Sequence, residues 1–270
     1  MTGVQTCALP ICVDGVVPMG TTGESPTLSH DKHEEFIARV VSMVDGRVKV
    51  IAGTGSNSTA EAISLSVSAE KSGVDGLLQV NPYYNKPTQK GLIEHFDAVA
   101  KAVSIPVILY NIPGRTGINF LPESVARLLD RADNVVAIKE ASGDIHQMMR
   151  VVEVCGERLT LLSGDDNMLL PLLSIGGKGI VSVLSNLLPA DIKKIVTLYE
   201  EGNIQEARSR FYKILPLCRA MFFETNPIPV KAAMAMSGFC EPEMRLPLTP
   251  LSDEFIPRLQ DALRKYGLNI

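Results

Sequence analysis

Nowhere in these 270 residues does an apolar run approach the roughly 20 residues that a membrane-spanning helix requires, and no block of lysine and arginine stands ready to grip a polyanion. Those two absences set aside a membrane or nucleic acid as the main partner and leave a small metabolite. Cysteine is sparse and scattered. Cys7, Cys12, Cys155, Cys218 and Cys240 are odd in number, form no C-x-x-C pair and keep no metal-ligand spacing. Neither a disulfide framework nor a metal site is expected, and a reducing cytoplasm fits. No Gly-x-Gly-x-x-Gly fingerprint occurs, which argues against a dinucleotide-binding fold. No Pro/Gly/Ser-rich linker divides the chain. With 46% hydrophobic and 21% charged residues, a formal net charge of -4 and a pI near 5.7, what is present is an ordinary globular composition.

The first residues read apart from the rest. Met1 to Ile11, MTGVQTCALPI, resembles the in-frame translation of a sequencing adapter and has neither the basic n-region nor the long apolar h-region of a signal peptide. Residues 1–12 are therefore read as a non-native leader, with native sequence beginning near Val13.

Beyond the leader the chain repeats one unit: a short apolar strand, a polar loop, an amphipathic helix. Strands are expected at Gly15 to Met19, Val48 to Ala52, Gly76 to Val80, Pro106 to Tyr110, Val135 to Lys139, Leu159 to Ser163 and Gly179 to Val183. They recur about every 25 to 30 residues, the span of a strand, a helix and their connections. Helical patterns run over Lys32 to Val44, Ala60 to Ser72, Gln89 to Ala102 and Ala190 to Glu201, with Ser29, Ser58 and Thr88 as caps. Ile204 to Phe223 and Ser252 to Tyr266 add helices with no strand between them. The pattern predicts an α/β fold, a (β/α)8 TIM barrel over residues 13–200 truncated at its N-terminus to about seven native strands, with an extra helical region over residues 201–270. The eighth strand belongs where the leader sits.

In such a barrel the strand C-termini share one mouth. Here they offer Thr21, Thr22 and Glu24, then Thr54 and Asn57, Asn81, Tyr83 and Tyr84, Tyr110, Asn111 and Arg115, Lys139 and Glu140, Gly164 and Asp165, and Ser182 and Ser185. The sharpest of these is Lys139. Four apolar residues, Val135 to Ile138, end abruptly in a lysine and a glutamate. Burial drives a lysine to shed its proton, and a neutral amine condenses with carbonyls, so the chemistry suggested is a Schiff base. The plain alternative is a lysine that emerges at the strand end and pairs with Glu140 or another acid.

Several motifs, in order, resemble the family of 4-hydroxy-tetrahydrodipicolinate synthases, also called dihydrodipicolinate synthases, within the class I pyruvate-aldolase superfamily. They are Gly20-Thr21-Thr22-Gly23-Glu24-Ser25, Pro82-Tyr83-Tyr84, Tyr110-Asn111-Ile112-Pro113-x-Arg115-Thr116-Gly117, Ile138-Lys139-Glu140 and Asn226-Pro227-Ile228-Pro229-Val230-Lys231. The likeness runs from about Val13 to the C-terminus and leaves the family's first strand and helix unmatched. It implies that Lys139 forms a covalent imine with pyruvate, becomes an enamine and adds to aspartate 4-semialdehyde, with no cofactor and no metal. Tyr110 is then the general acid/base, suited to the role with a lowered pKa, and Thr21 and Tyr84 are its proton relay, Tyr84 reaching across a dimer interface. The Gly20 to Gly23 turn and the Thr22 hydroxyl suit the pyruvate carboxylate, Arg115 the carboxylate of the second substrate, and Gly164 and Val181 are further substrate-binding positions.

The resemblance also marks Ser25, His30, His33, Asn57, Glu61 and Tyr83 as a feedback site for L-lysine, and implies a cytoplasmic homo-oligomer, a dimer or tetramer. Taken alone, Arg115 reads as a solvated ion pair, Tyr110 as a core aromatic, and the two histidines as a solvated helix face or half of a metal site with no third ligand at standard spacing. The rival activities are a sialic-acid-lyase-like aldolase for 2-keto acid sugars, which would not depend on Arg115, and an inactive fragment.

Overall fold

A computed structural model describes residues 13–270, so the leader expected at residues 1–12, and the place kept there for an eighth strand, lie outside the described residues. Two compact units divide the chain: one holds Gly15–Gly20 and Leu28–Val181, the other residues 13–14, Thr21–Thr27 and Ser182–Ile270.

The first unit contains a seven-stranded sheet: β1 Gly15–Val16, β2 Lys49–Gly53, β3 Gly76–Val80, β4 Val107–Asn111, β5 Val135–Glu140, β6 Thr160–Ser163 and β7 Gly179–Ile180. The strands lie side by side in chain order and every pairing is parallel. A doubly wound sheet reverses its order at a switch point, whereas unbroken sequential order is the topology of a (β/α) barrel wall. The apolar runs account for the strands. Leu77 and Leu78 of β3 and Val135, Ala137 and Ile138 of β5 are buried, as expected where helices cover a parallel sheet.

Those helices are α1 His30–Val44, α2 Thr59–Lys71, α3 Gln89–Lys101, the four-residue α4 Pro113–Thr116, α5 Pro122–Leu129, α6 Ile145–Cys155 and α7 Leu169–Ser174. Helix α1 buries His33, Ile37, Val40 and Val44, one stripe at helical spacing. Ser58 and Thr88 cap α2 and α3 through their hydroxyls, as expected, but Ser29 makes no side-chain cap and only its carbonyl joins α1. Strand β1 is shorter than the sequence pattern suggests because Pro18 has no N–H to give the ladder and Met19 turns to φ 57°. Gly53 makes the approach of that segment feasible: a Cβ there would stand 2.2 Å from the Met19 carbonyl oxygen.

The second unit is helix and turn. It comprises α8 Pro189–Glu200, α9 Ile204–Ala220, α10 Ile228–Met236 and α11 Ile256–Tyr266, with short 3-10 turns at Thr21–Gly23 and Ser25–Thr27. Phe211, Ile214 and Leu217 of α9 and Leu259 and Leu263 of α11 are buried.

Candidate active site

Lys139 of β5 is in register with Tyr110 of β4. Equivalent positions on neighbouring strands face the same side, and the Lys139 Nζ lies 3.9 Å from the centre of the Tyr110 ring. Burial pushes the lysine down to about 8 from its ordinary 10.5; the Asp166 carboxylate opposes that fall and the Arg115 guanidinium reinforces it. At pH 7 about a tenth of such an amine is unprotonated, roughly 300-fold more than for an ordinary lysine. Tyr110, only 6% exposed, behaves otherwise than expected. Burial pushes its phenol up to about 12, against a smaller downward pull from Arg115, so it stays a neutral O–H and not the acidified phenol foreseen from sequence.

The lysine stem has its own requirement. A Cβ at Gly164, just past β6, would lie 3.0 Å from the Lys139 Cε, 3.2 Å from its Cγ and 2.7 Å from the Ala141 Cβ. Gly164 thus gives Lys139 its passage. Val181 follows β7 and donates its N–H to the Ser163 carbonyl at 2.9 Å, extending the ladder by one bond. Arg115 is exposed on α4, the turn that Pro113 starts directly after β4. Its charge reaches both Tyr110 and Lys139.

The plain alternative for Lys139, a surface pair with Glu140, does not hold. Strand alternation sends Glu140 to the opposite face, where it is fully buried and accepts from Ser142 N–H at 2.7 Å, Asn111 Nδ2 at 2.9 Å and Gln147 Nε2 at 3.0 Å.

In the helical unit, Thr21 and Thr22 open a 3-10 turn, and Asn226 Nδ2 donates to the Thr22 hydroxyl at 2.9 Å. Glu24 closes that turn in a left-handed conformation, φ 58°. Burial alone would raise its carboxyl, but Lys231 Nζ at 2.7 Å and the Arg245 N–H at 2.9 Å outweigh it and hold the group below its ordinary value.

A second cluster lies where α1 and α2 begin. His30 Nε2 stands 2.5 Å from Glu61 Oε1, and the other Glu61 oxygen accepts from the Ser56 hydroxyl. His33 is buried, with Nε2 2.9 Å from the Gly53 carbonyl; burial lowers its pKa, against the opposing effect of that hydrogen bond. The Asn57 carbonyl accepts from Asn85 Nδ2 at 2.8 Å.

The sequence model of the Dihydrodipicolinate synthetase family matches residues 7–266. The chain belongs to this family. It is 57% identical over 241 residues to a 4-hydroxy-tetrahydrodipicolinate synthase of Leptospira biflexa, covering 89% of this chain and 82% of that one. A crystal structure of dihydrodipicolinate synthase from Aquifex aeolicus superposes with a TM-score of 0.96 at 44% identity, over 98% of this chain and 90% of the other. A structure of the enzyme from Cyanidioschyzon merolae with lysine bound superposes with a TM-score of 0.94 at 41% identity, over 98% and 90%.

For this member of the dihydrodipicolinate synthetase family, Lys139, Tyr110, Arg115, Gly164 and Val181 all fall at or just beyond C-terminal strand ends of the sheet unit, while Thr21, Thr22 and Ser25 belong to turns of the helical unit. Tyr84 is 89% exposed among the described residues and held at φ 71°, beside Tyr83 at 39%. His30 and Glu61 meet, whereas His33 is turned inward onto the Gly53 carbonyl. Sequence reasoning missed Asp166, Ser56 and the Glu24–Lys231 pair. The Asp165-Asp166 doublet was a signal, but its first carboxylate caps the Asn167 N–H at 3.0 Å and its second is the buried one acting on Lys139.

Proposed function

We propose that the chain is a lyase that condenses pyruvate with aspartate 4-semialdehyde to give 4-hydroxy-tetrahydrodipicolinate, on the diaminopimelate route to lysine. The observation that carries this reading is the Lys139–Tyr110 pair, a lysine depressed to about 8 beside a buried neutral phenol. The Lys139 nitrogen attacks the pyruvate keto carbon, and the carbinolamine loses water to leave an imine. A methyl proton then departs, its electron pair forming the enamine. The enamine carbon bonds to the aldehyde carbon of the second substrate, and the amine of the adduct attacks the imine carbon, closing the ring and freeing Lys139. No metal or cofactor enters these steps.

Tyr110 is assigned the proton transfers, with Thr21 and Tyr84 as relay. Its high pKa suits a group that donates and recovers a proton and never rests as a phenolate. Thr22 is assigned the pyruvate carboxylate; its hydroxyl accepts from Asn226, which leaves its own hydrogen to donate. Gly164 and Val181 complete the pyruvate site, and Arg115 supplies a planar fork for the carboxylate of aspartate 4-semialdehyde. The protein is assigned to the cytoplasm, in keeping with the absence among the described residues of any helix long and apolar enough to cross a membrane. The working form is a homo-oligomer, dimer or tetramer.

L-Lysine is proposed as an allosteric ligand of Ser25, His30, His33, Asn57, Glu61 and Tyr83. Support comes from the lysine-bound relative and from the Glu61 carboxylate, a negative charge that meets His30 of the same set.

Borohydride with pyruvate should add a lactyl-type mass to Lys139, and Lys139→Ala should add none. An adduct at another lysine would overturn the assignment. Turnover with aspartate 4-semialdehyde is expected, and pyruvate trapping without it would point to a sugar-acid lyase instead.

A further inference from the structure

Behind the reactive pair lies a closed polar network that the proposed mechanism does not use. Asn111 and Glu140 are in register one step beyond Tyr110 and Lys139 on the same two strands, so alternation places them together on the opposite face. Both are fully buried. Asn111 spends its whole hydrogen-bonding capacity there: its amide donates to Glu140 at 2.9 Å and to Asn119 Oδ1 at 2.8 Å, and its oxygen accepts from Asn81 at 2.7 Å and from the Phe120 N–H at 3.0 Å. Gln147 of α6 closes the ring. It donates to Glu140 at 3.0 Å and to Asn119 at 3.0 Å, and accepts from Asn119 Nδ2 at 2.6 Å. The ends of β3, β4 and β5 and the start of α6 are thereby tied at one point.

The chemistry of that point is unusual. The Glu140 carboxylate is taken wholly out of water, yet its three hydrogen-bond partners are neutral N–H groups. A buried carboxylate held by neutral donors is costly for a site with no role beyond filling space, and an apolar pair of the same volume would serve packing better. What the carboxylate adds is geometry. It is acceptor-only, so it fixes every amide around it in one orientation, and it sets the separation of the two strand ends whose other faces carry Tyr110 and Lys139.

Resting on the functional reading above, we propose that Glu140, Asn111 and Gln147 are positioning residues: a clamp on the back of β4 and β5 that holds the Lys139 nitrogen in attack geometry against the Tyr110 ring. A displacement of about 1 Å is enough to cost on the order of a hundredfold in rate, and the clamp acts one residue from the reacting nitrogen.

The test is the rate of pyruvate trapping by borohydride, per trappable site, in the full chain. Glu140→Gln preserves shape but brings two donor hydrogens where the carboxylate had none, so one of the three N–H groups must face another N–H. Trapping is expected to slow about tenfold or more and kcat to fall with it, while KM for aspartate 4-semialdehyde stays within about twofold. Adding Asn111→Asp returns one carboxylate to the network, and the double variant should trap faster than Glu140→Gln alone. Should Glu140→Gln not fold, Gln147→Met removes one of the three donors to Glu140, together with both Gln147–Asn119 hydrogen bonds, and leaves the strand pairing untouched; about threefold slower trapping is expected there. A Glu140→Gln chain, or failing it a Gln147→Met chain, that traps as fast per site as wild type overturns the clamp, whatever its melting temperature, and so does a double variant no faster than the single. A wild-type chain that traps no pyruvate overturns the functional reading and this inference together; one that traps it and turns over overturns neither.

Discussion

The Lys139 amine sits in a three-way competition: burial and Arg115 favour its neutral form, and the buried Asp166 carboxylate favours its charged one. Each contribution can be removed separately. Because only the neutral amine attacks, the trapping rate is expected to rise with pH and level off around a midpoint near 8, not near 10.5. Asp166→Asn takes away the one influence that holds the proton on, so the midpoint should fall. Arg115→Leu takes away a repelling charge, so it should rise. A midpoint that moves the other way in either variant would contradict the assignment of charges. Gly164→Ala tests the neighbouring space: its methyl group would meet the Lys139 stem and the Ala141 Cβ. Slower trapping is expected, with a loss of about 1–3 kcal/mol from overpacking, read as a lower urea midpoint.

Between elements, the packing of α3 against α2 has a titratable weak point. His95 of α3 is buried, with Nδ1 2.9 Å from the Thr59 hydroxyl of α2 and Nε2 without a partner among the described residues. Burial pushes the imidazole down to about 4 from its ordinary 6.5. The unfolded chain takes up a proton as pH falls through 6.5, while the folded chain refuses it until about 4. Across that window the unfolded state therefore binds more protons and stability declines with falling pH, by on the order of 2 kcal/mol at the acid end. Urea midpoints measured from pH 7 to 4.5 should fall less steeply for His95→Gln than for wild type; parallel slopes would exclude His95 as a source.

The same scale shows how much could be read from sequence. Gly76–Val80 and Val135–Glu140 were legible because a run of apolar residues flanked by turn residues admits little else. Strand β7 stops at Ile180, short of the expected Val183, because Val183 already caps a 3-10 turn at Leu184–Asn186, a local choice that an apolar run does not reveal. Lys139 and Tyr110 were legible as motif residues. Their titration was not, since it depends on burial and on the charges that two other segments bring near them, Arg115 and Asp166. Asp166 and the Glu140–Asn111–Gln147 ring escaped for the same reason: a polar residue beside a strand end gives no sign of which face it will occupy or which helix will meet it.

For the whole molecule, Tyr84 poses a question that one chain does not answer. A large aromatic that is 89% exposed and held at a positive φ of 71° is a costly way to present a side chain to water. The cost has a purpose if the hydroxyl serves the site of a second copy, as the proposed relay requires. Mixing inactive chains separates the alternatives. Lys139→Ala carries no nucleophile but an intact Tyr84; Tyr84→Phe carries the nucleophile but no relay hydroxyl. In a mixed twofold pair, the site that retains Lys139 receives its tyrosine from the Lys139→Ala chain and is complete. Random reassociation at equal amounts makes half the pairs mixed, each with one good site of two, so specific activity should recover to about a quarter of wild type. A tyrosine that served its own chain would yield no recovery, because every chain with a nucleophile would still lack the hydroxyl. Dilution carries the same logic: wild-type activity per chain should fall as the assembly comes apart, and pyruvate trapping at Lys139, which needs only the proton transfers of imine formation and none of the later ones, should fall less.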